Sequence, residues 1–463
     1  YNKQFPHRWN YAFVSTITSV DFPILEYIVA IIMKITGITS PWIFRTCTLL
    51  VALLGMFFLY KLSFLITEDW IKSLLVTMIA MTSPVYAYYF NGFIPGIPAL
   101  TFAIIALYCY VKYLNNSEIR TFCFSLLFIT LSVLTRMSFA VIWVALLGFE
   151  FLRILRKETT FLDKLLPVAI SIIVFLSYYF WNKHLAAEHG TLFLGKLLPA
   201  NDWADFCDRM RAAKENWQYH YFGKIHYRLF LIILATSILY LIYKKIRFKD
   251  VENTHDKKSL SLWTFVAVVL LGYVLFTIAM AKQFKDHDYY FIDTYFLPLL
   301  LLFILVFKAL PRVENYKSGI IAFVILIIPV VMMITNVNEM QKKRRTIDKG
   351  RASERTIKNY QGSEQYLDSL GVSKEAKILS LWSYPQNTPF ILMNRKGFTE
   401  MWDRKEGVDA KMSFDFDYLI VENELYEKEK HTWKYVFDDL EYYSDNGKIM
   451  IFVKKENDNV NKN

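Results

Sequence analysis

Cysteine is scarce, with 4 in 463 residues. Cys47, Cys109 and Cys123 fall inside apolar runs and Cys207 stands alone in a polar stretch, so no disulfide framework or thiolate metal site is indicated. Charge is thin as well: charged residues make up 21% of the chain, against 54% hydrophobic and 17% aromatic, far from an ordinary soluble balance. There is no GxGxxG or P-loop spacing and no internal repeat, so the sequence offers neither glycine-rich phosphate cradle nor a solenoid. The formal net charge is +11, yet 38 Phe and 30 Tyr exclude a disordered polymer that coats nucleic acid. Also missing are a start Met, a charged n-region and an apolar h-region ahead of Tyr1. The expectation is that a first membrane span or export signal lies upstream.

What the chain holds in quantity is long apolar runs. A helix rising about 1.5 Å per residue needs roughly 20 apolar residues to cross about 30 Å of hydrocarbon, because every backbone N–H and C=O must be satisfied within it. Ten segments qualify, near residues 43–65, 70–90, 93–113, 119–135, 137–155, 163–181, 228–244, 260–281, 289–310 and 318–336. The expected fold is therefore a polytopic α-helical membrane protein. Its short connections hold 17 Lys and Arg on one side and 4 on the other, although the 182–227 loop and the stretch after the last span bring the second side to 18. Weighting the short loops puts the long loop and the C-terminal tail outside the cytoplasm. Residues 22–36 are apolar but short and carry Glu26 and Lys34, which suits an interfacial or re-entrant helix on the outer face.

Beyond residue 340 the character changes to a basic, helix-prone stretch and then shorter apolar runs. The organisation read from this is a membrane domain over 1–340, including the outer loop 182–227, and a soluble α/β domain over 341–463. In the latter AKILSL, PFILMN, DYLIVEN and KIMIFVKK predict strands, and EQYLDSLGV and WKYVFDDLEYY predict helices, with partly parallel pairing.

Chemistry is sought in the charged outer connections, since polar groups at a membrane boundary are costly unless paired or used. The richest is KQFKDHDYYFIDTYFLP. Lys282, Lys285 and His287 there can hold a lipid phosphate or pyrophosphate, with Asp288 orienting His287 or acting as a base. The plainer reading is a solvated turn with an aromatic belt of Tyr289, Tyr290 and Tyr295. Asp293 carries the polar character onward. Asp21 places a carboxylate at the outer surface, and composition alone favours its being the N-cap of the helix that follows. Arg136 and Arg45 sit near outer ends of spans, where they either bind phosphate or snorkel. His184, Glu188 and His189 lie close on a predicted helix, with His220 and His226 further along; His-x3-Glu-His is weaker than the zinc-enzyme pattern, and surface histidines are the favoured reading.

Five runs taken together carry a resemblance. VDFPILEYIVAIIMKITGITSPWIFRTCTLLVALLGMFFLYKL, SPVYAYYFNGFIPGIPALTFAIIALYCYVKYL, LSVLTRMSFAV, HDYYFIDTYFLPLLLL and PFILMNRKGF resemble, in order and spacing, membrane glycosyltransferases of the GT-C class. Within it the sequence is most similar to the dolichyl-phosphate-mannose protein mannosyltransferase-like group, which includes bacterial lipid A aminoarabinose transferases. The resemblance implies an inverting hexosyl- or pentosyltransferase, multi-pass in the inner membrane with its active face outside. Such an enzyme takes a sugar from a polyprenyl-phosphate donor to a protein, lipid or glycan acceptor. By position, Asp21 of DFP matches the family's acidic residue before an aromatic or basic residue and Pro, and His287 with Tyr289 and Tyr290 matches an outer motif before a late span. The acidic pair that follows the family's first span is expected upstream of Tyr1, and Gly96 stands where the family has a second-loop Asp.

Inversion at an anomeric carbon calls for a carboxylate to deprotonate the acceptor, and for cations or a divalent metal to stabilise the phosphate leaving group. The candidate catalytic residues are Asp21 and Asp288; the candidate donor-phosphate ligands are Lys282, Lys285, His287, Tyr289 and Arg136. A transporter or lipid flippase, and an inactive glycan-binding member of the family, are the competing expectations.

Overall fold

The computed structural model describes residues 19–38, 40–189, 197–247, 257–313, 315–348, 351–385, 387–401 and 405–455. The expectation of an upstream span falls outside these residues. Two compact units are distinguished, one of residues 21–180 and 195–341, the other holding the chain from Lys342 onward together with 181–194.

The first unit is helical. In order come α1 (Ile24–Thr36), α2 (Pro41–Thr67), α3 (Trp70–Met81), α4 (Pro84–Tyr89), α5 (Gly96–Asn116), α6 (Ile119–Thr135), α7 (Ala140–Leu155), α8 (Leu162–His189), α9 (Trp203–Tyr221), α10 (Lys224–Arg247), α11 (Lys257–Ala279), α12 (Ala281–Phe284), α13 (Tyr290–Asp293), α14 (Phe296–Lys308) and α15 (Tyr316–Asp348). Among the described residues α2, α5, α7, α8, α10, α11 and α15 are long and apolar enough to span a bilayer, and α3, α6 and α14 are shorter apolar helices. The protein is thus an integral multi-pass membrane protein. α2, α3, α5, α6 and α14 supply much of a continuous apolar core with Leu59, Val76, Ile104, Ile129 and Ile304 fully covered. α8 and α15 leave Ile173, Phe180, Ile325 and Ile328 exposed, apolar faces that only a lipid solvent tolerates at that extent.

Helix boundaries follow from local chemistry. Asp69 caps α3 by accepting from the Ile71 and Lys72 amides at 3.0 and 3.2 Å, Pro41 opens α2, and Gly37 ends α1 at φ +69°, a left-handed position that suits glycine. The predicted single span 70–90 is two helices: Pro84 lacks an amide hydrogen and keeps Ser83 extended at ψ 123°, so the ladder breaks there. The predicted span 289–310 is likewise split at Thr294, whose φ and ψ are −132° and −85°. The last helix runs on to Asp348, well past the predicted end at 336. Within 182–227 the long loop contains α9, capped by Asp202, which accepts from the Asp205 amide at 2.8 Å.

The fold contacts define two ends of the first unit. At one, Arg136, Asp293, Gly96 and the 279–290 connection converge. At the other, Lys72 donates to the Leu310 carbonyl at 2.7 Å, and Glu150 accepts from Tyr110 and Tyr113 hydroxyls at 3.0 and 2.9 Å beside Arg153 at 3.0 Å and Lys164 at 3.6 Å.

The second unit is an α/β domain. α16 (Ala352–Tyr360), α17 (Ser363–Ser369), β1 (Lys377–Leu381), α18 (Thr388–Met393), β2 (Lys396–Glu400), α19 (Lys405–Met412), β3 (Tyr418–Glu422), α20 (Asn423–Glu429), α21 (Lys434–Asp438), β4 (Leu440–Asp445) and β5 (Ile449–Lys454) follow in order. The sheet has order β2-β1-β3-β5-β4, with β1 parallel to β2 and β3 and with β5 antiparallel to β3 and β4. Leu379, Leu381, Leu419 and Val421 point into one core and Ile378 and Ile420 into another, which is why the central strands read as unbroken apolar runs. Two assignments are corrected. PFILMN is the helix α18, started by Pro389, and the strand is the following KGFTE. WKYVFDDLEYY is only one short helix before β4 begins.

Candidate functional site

The outer motifs meet around one guanidinium. Arg136 follows the end of α6 with extended backbone, φ −155° and ψ 109°, so its side chain leaves the helix and crosses toward α13. Nε donates to Asp293 Oδ2 at 2.6 Å, and Nη1 lies 3.4 Å from Asp21 Oδ2. The guanidinium carbon stands 5.5 Å from the ring centres of both Tyr289 and Tyr290, a cation–π geometry. The Arg136 side chain keeps 20% exposure and Asp21 22%, while Asp293 has none.

Each carboxylate is placed by its backbone. Asp21 is not an N-cap: that position is Pro23, with no side-chain cap, and the carboxylate turns to Arg136 instead. The Phe22 amide donates to the Leu134 carbonyl at 2.9 Å, stitching the segment to the end of α6. Asp293 closes α13, and its Oδ1 is buried with no hydrogen-bond donor among the described residues. A Cβ at Gly96 would collide with that oxygen. Gly96 opens α5, so the absence of a side chain lets the carboxylate settle against the positive end of a 21-residue helix.

The other expected residues are placed as follows. Asp288 is buried at 2% exposure and accepts from the Tyr89 hydroxyl at 2.8 Å. His287 packs 5.2 Å from the Tyr289 ring, and burial pushes its imidazole below the usual value. Lys282 donates to Asn201 Oδ1 at 2.8 Å, and Lys285, 3.9 Å from Asp286, is held through its carbonyl, which accepts from Trp217 Nε1 at 2.8 Å. Arg136, Asp21 and Tyr289 are therefore brought together, whereas the two lysines pair elsewhere. Asp293 and Tyr290 complete the cluster. Asp293 was visible as a carboxylate in an apolar run, but nothing in the sequence pairs it with a residue 157 positions away. Asp21 is held above its ordinary value because burial outweighs the opposing pull of Arg136.

Arg45 lies over the Phe93 ring at 5.2 Å. His184 and Glu188 form an exposed pair at 3.2 Å; the His189 side chain falls outside the described residues. His226 is buried, its Nε2 3.0 Å from the Thr82 hydroxyl, and His220 packs against Trp217 at 5.5 Å.

Comparison with known proteins bears on this geometry. The family model of dolichyl-phosphate-mannose-protein mannosyltransferases matches residues 21–181, a stretch that includes Asp21, Gly96 and Arg136. No curated protein sequence matches the chain. The oligosaccharyltransferase of Archaeoglobus fulgidus, crystallised with Zn and sulfate, aligns over 97% of this chain and 66% of its own, with TM-score 0.52 and 10% identity. ArnT from Cupriavidus metallidurans bound to undecaprenyl phosphate aligns over 98% of this chain and 90% of its own, with TM-score 0.45 and 9% identity. The fold class is thereby defined: a GT-C-like multi-span membrane protein with a C-terminal α/β domain. Within that class the resemblance is to the dolichyl-phosphate-mannose-protein mannosyltransferases, as the sequence motifs indicate.

Proposed function

We propose that the protein is an inverting glycosyltransferase that moves a sugar from a polyprenyl-phosphate donor to an acceptor hydroxyl, on the outer face of the inner membrane. The observation that carries this reading is Arg136, clamped by Asp293 and Asp21 and flanked by two tyrosines at one end of a membrane bundle. A partly exposed, pre-oriented guanidinium is suited to a phosphate oxygen, and a carboxylate beside it is suited to taking a proton. In the reaction the acceptor oxygen bonds to the anomeric carbon and its proton passes to Asp21. The bond from that carbon to the phosphate oxygen breaks with its electron pair on the phosphate, whose charge Arg136 stabilises.

A divalent metal is not a good fit for these residues. Among the described residues no three His, Cys, Asp or Glu side chains converge, and the Arg136 guanidinium lies between the two nearest carboxylates. A flippase is disfavoured because the buried charges of the membrane unit, Asp69, Lys72, Glu150, Lys164, Asp288 and Asp293, sit at helix ends rather than at the midplane.

The test is reconstitution of the full chain in proteoliposomes with radiolabelled polyprenyl-phosphate hexose and pentose donors and a cell-envelope acceptor extract. Labelled glycoconjugate is the expected product, and the extract identifies whether protein, lipid or glycan receives the sugar. Lipid flux without transfer from any donor would reverse the assignment in favour of a flippase.

A further inference from the structure

We infer that the two carboxylates on Arg136 have separate jobs: Asp293 is a permanent anchor, and Asp21 is an exchangeable occupant of the place on Nη1 that the donor phosphate takes. This rests on the lipid-phosphate reading of the site.

The asymmetry is in the geometry. Asp293 meets Nε at 2.6 Å with no exposure, inside a cleft that exists only because residue 96 has no side chain. Asp21 meets Nη1 at 3.4 Å with 22% exposure, on a bend before α1 rather than within an element. A short buried contact to a charged partner is the strong one, and a long partly hydrated contact is weak. The charges point the same way. With all three groups ionised the cluster carries two negative charges against one positive, so another anion enters only as a carboxylate leaves. Asp293 has nowhere to go; Asp21 has solvent beside it.

Exchange couples donor binding to catalysis. While Asp21 Oδ2 faces Arg136 Nη1, the nearby cation favours the ionised carboxylate and makes it a weaker base toward the acceptor. When a phosphate oxygen takes over Nη1, Asp21 is released next to the anomeric carbon as a free carboxylate able to accept the acceptor's proton. Transfer then returns the electron pair of the broken bond to the phosphate, and departure of the polyprenyl phosphate lets Asp21 close on Arg136 again. The site is thus kept idle until its donor arrives, which guards against activating water in its absence.

The experiment measures equilibrium binding of a fluorescent short-chain polyprenyl phosphate to the full chain in nanodiscs, with inorganic phosphate as competitor. Asp21→Asn is expected to bind the lipid roughly tenfold more tightly, because a competing anion is gone, while transfer falls by about 10²–10⁴. Asp293→Asn, and separately Gly96→Ala, which dislodges the Asp293 carboxylate without changing charge, are expected to weaken binding roughly tenfold or more. Weaker or unchanged binding by Asp21→Asn overturns the exchange while leaving the donor assignment standing. Failure of the wild-type chain to bind the lipid overturns the donor assignment itself. Competition by inorganic phosphate separates capture of the headgroup from adsorption of the tail.

Discussion

At the scale of the residue, the centre is a planar cation fixed from two sides, and the kind of cation matters. Arg136→Lys keeps the charge but cannot serve Asp293 and a phosphate from one rigid plane. Transfer is expected to drop by about 10² with little loss of folded protein, checked by turnover beside size-exclusion of the purified variant. The pH profile offers a second handle. Asp21 is held above 3.8 by burial, so acidification protonates it earlier than an ordinary aspartate, and a step that needs the carboxylate fails at a correspondingly higher pH. The acid limb of kcat/KM is expected at a higher pH than an unburied aspartate would give, and Asp21→Asn is expected to abolish that limb along with most of the rate. His287 is pushed the other way, below the ordinary imidazole value, by burial. At this scale the sequence was half legible. Arg136 and Tyr289 were nameable because polar groups at span ends stand out, and Asp21 through the family resemblance, since composition alone favoured an N-cap. The anchor was not, since pairing Asp293 with Arg136 depends on how α6 and α13 approach, a property of packing rather than of either segment.

At the scale of the element, prolines and short strands decided what could be read. The long helices were visible from their apolar length, but the break at Pro84 was hidden because apolar residues continue on both sides of it. PFILMN is short, and a run of that length fits a strand or a buried helix equally well by pattern; Pro389 in the first turn tips it to a helix. Gly397 shows the cost of tight pairing in the α/β unit, because a Cβ there meets the Ile378 carbonyl and the Phe390 ring. Glu422 shows the cost of buried charge. Its carboxylate accepts from Arg355 at 2.9 Å, Thr356 at 2.6 Å and Asn359 at 2.7 Å, fastening α16 to the end of β3. Glu422→Ala strands the buried Thr356 and Asn359 groups and is expected to destabilise this unit by about 2–4 kcal/mol. Urea titration followed by tryptophan fluorescence of the purified full chain would report it as an earlier transition, and an unshifted midpoint would remove the network from the stability account.

At the scale of the whole molecule, orientation is the open quantity that charge counting left nearly balanced. With the native cysteines replaced, a cysteine at Asp286 is expected to react with an impermeant maleimide from outside the cell and one at Lys157 only after permeabilisation. The reverse result would put the Arg136 cluster on the cytoplasmic side. The distribution of ionic contacts has a mechanical consequence. Glu150 ties α5, α7 and the start of α8 through phenols, Arg153 and Lys164, and Asp69 accepts from the Val313 amide at 3.1 Å, so the end far from Arg136 is riveted. Around Arg136 the rings of Tyr88, Tyr89, Tyr289 and Tyr290 meet edge-on or slipped, contacts worth less than a buried ion-pair network. The two ends of the bundle are therefore tied by different means, the far one by a network of ionic contacts spanning several helices and the near one by a single guanidinium and packed rings. Amide exchange is accordingly expected to be faster over 82–96 and 285–295 than over 110–113 and 150–164.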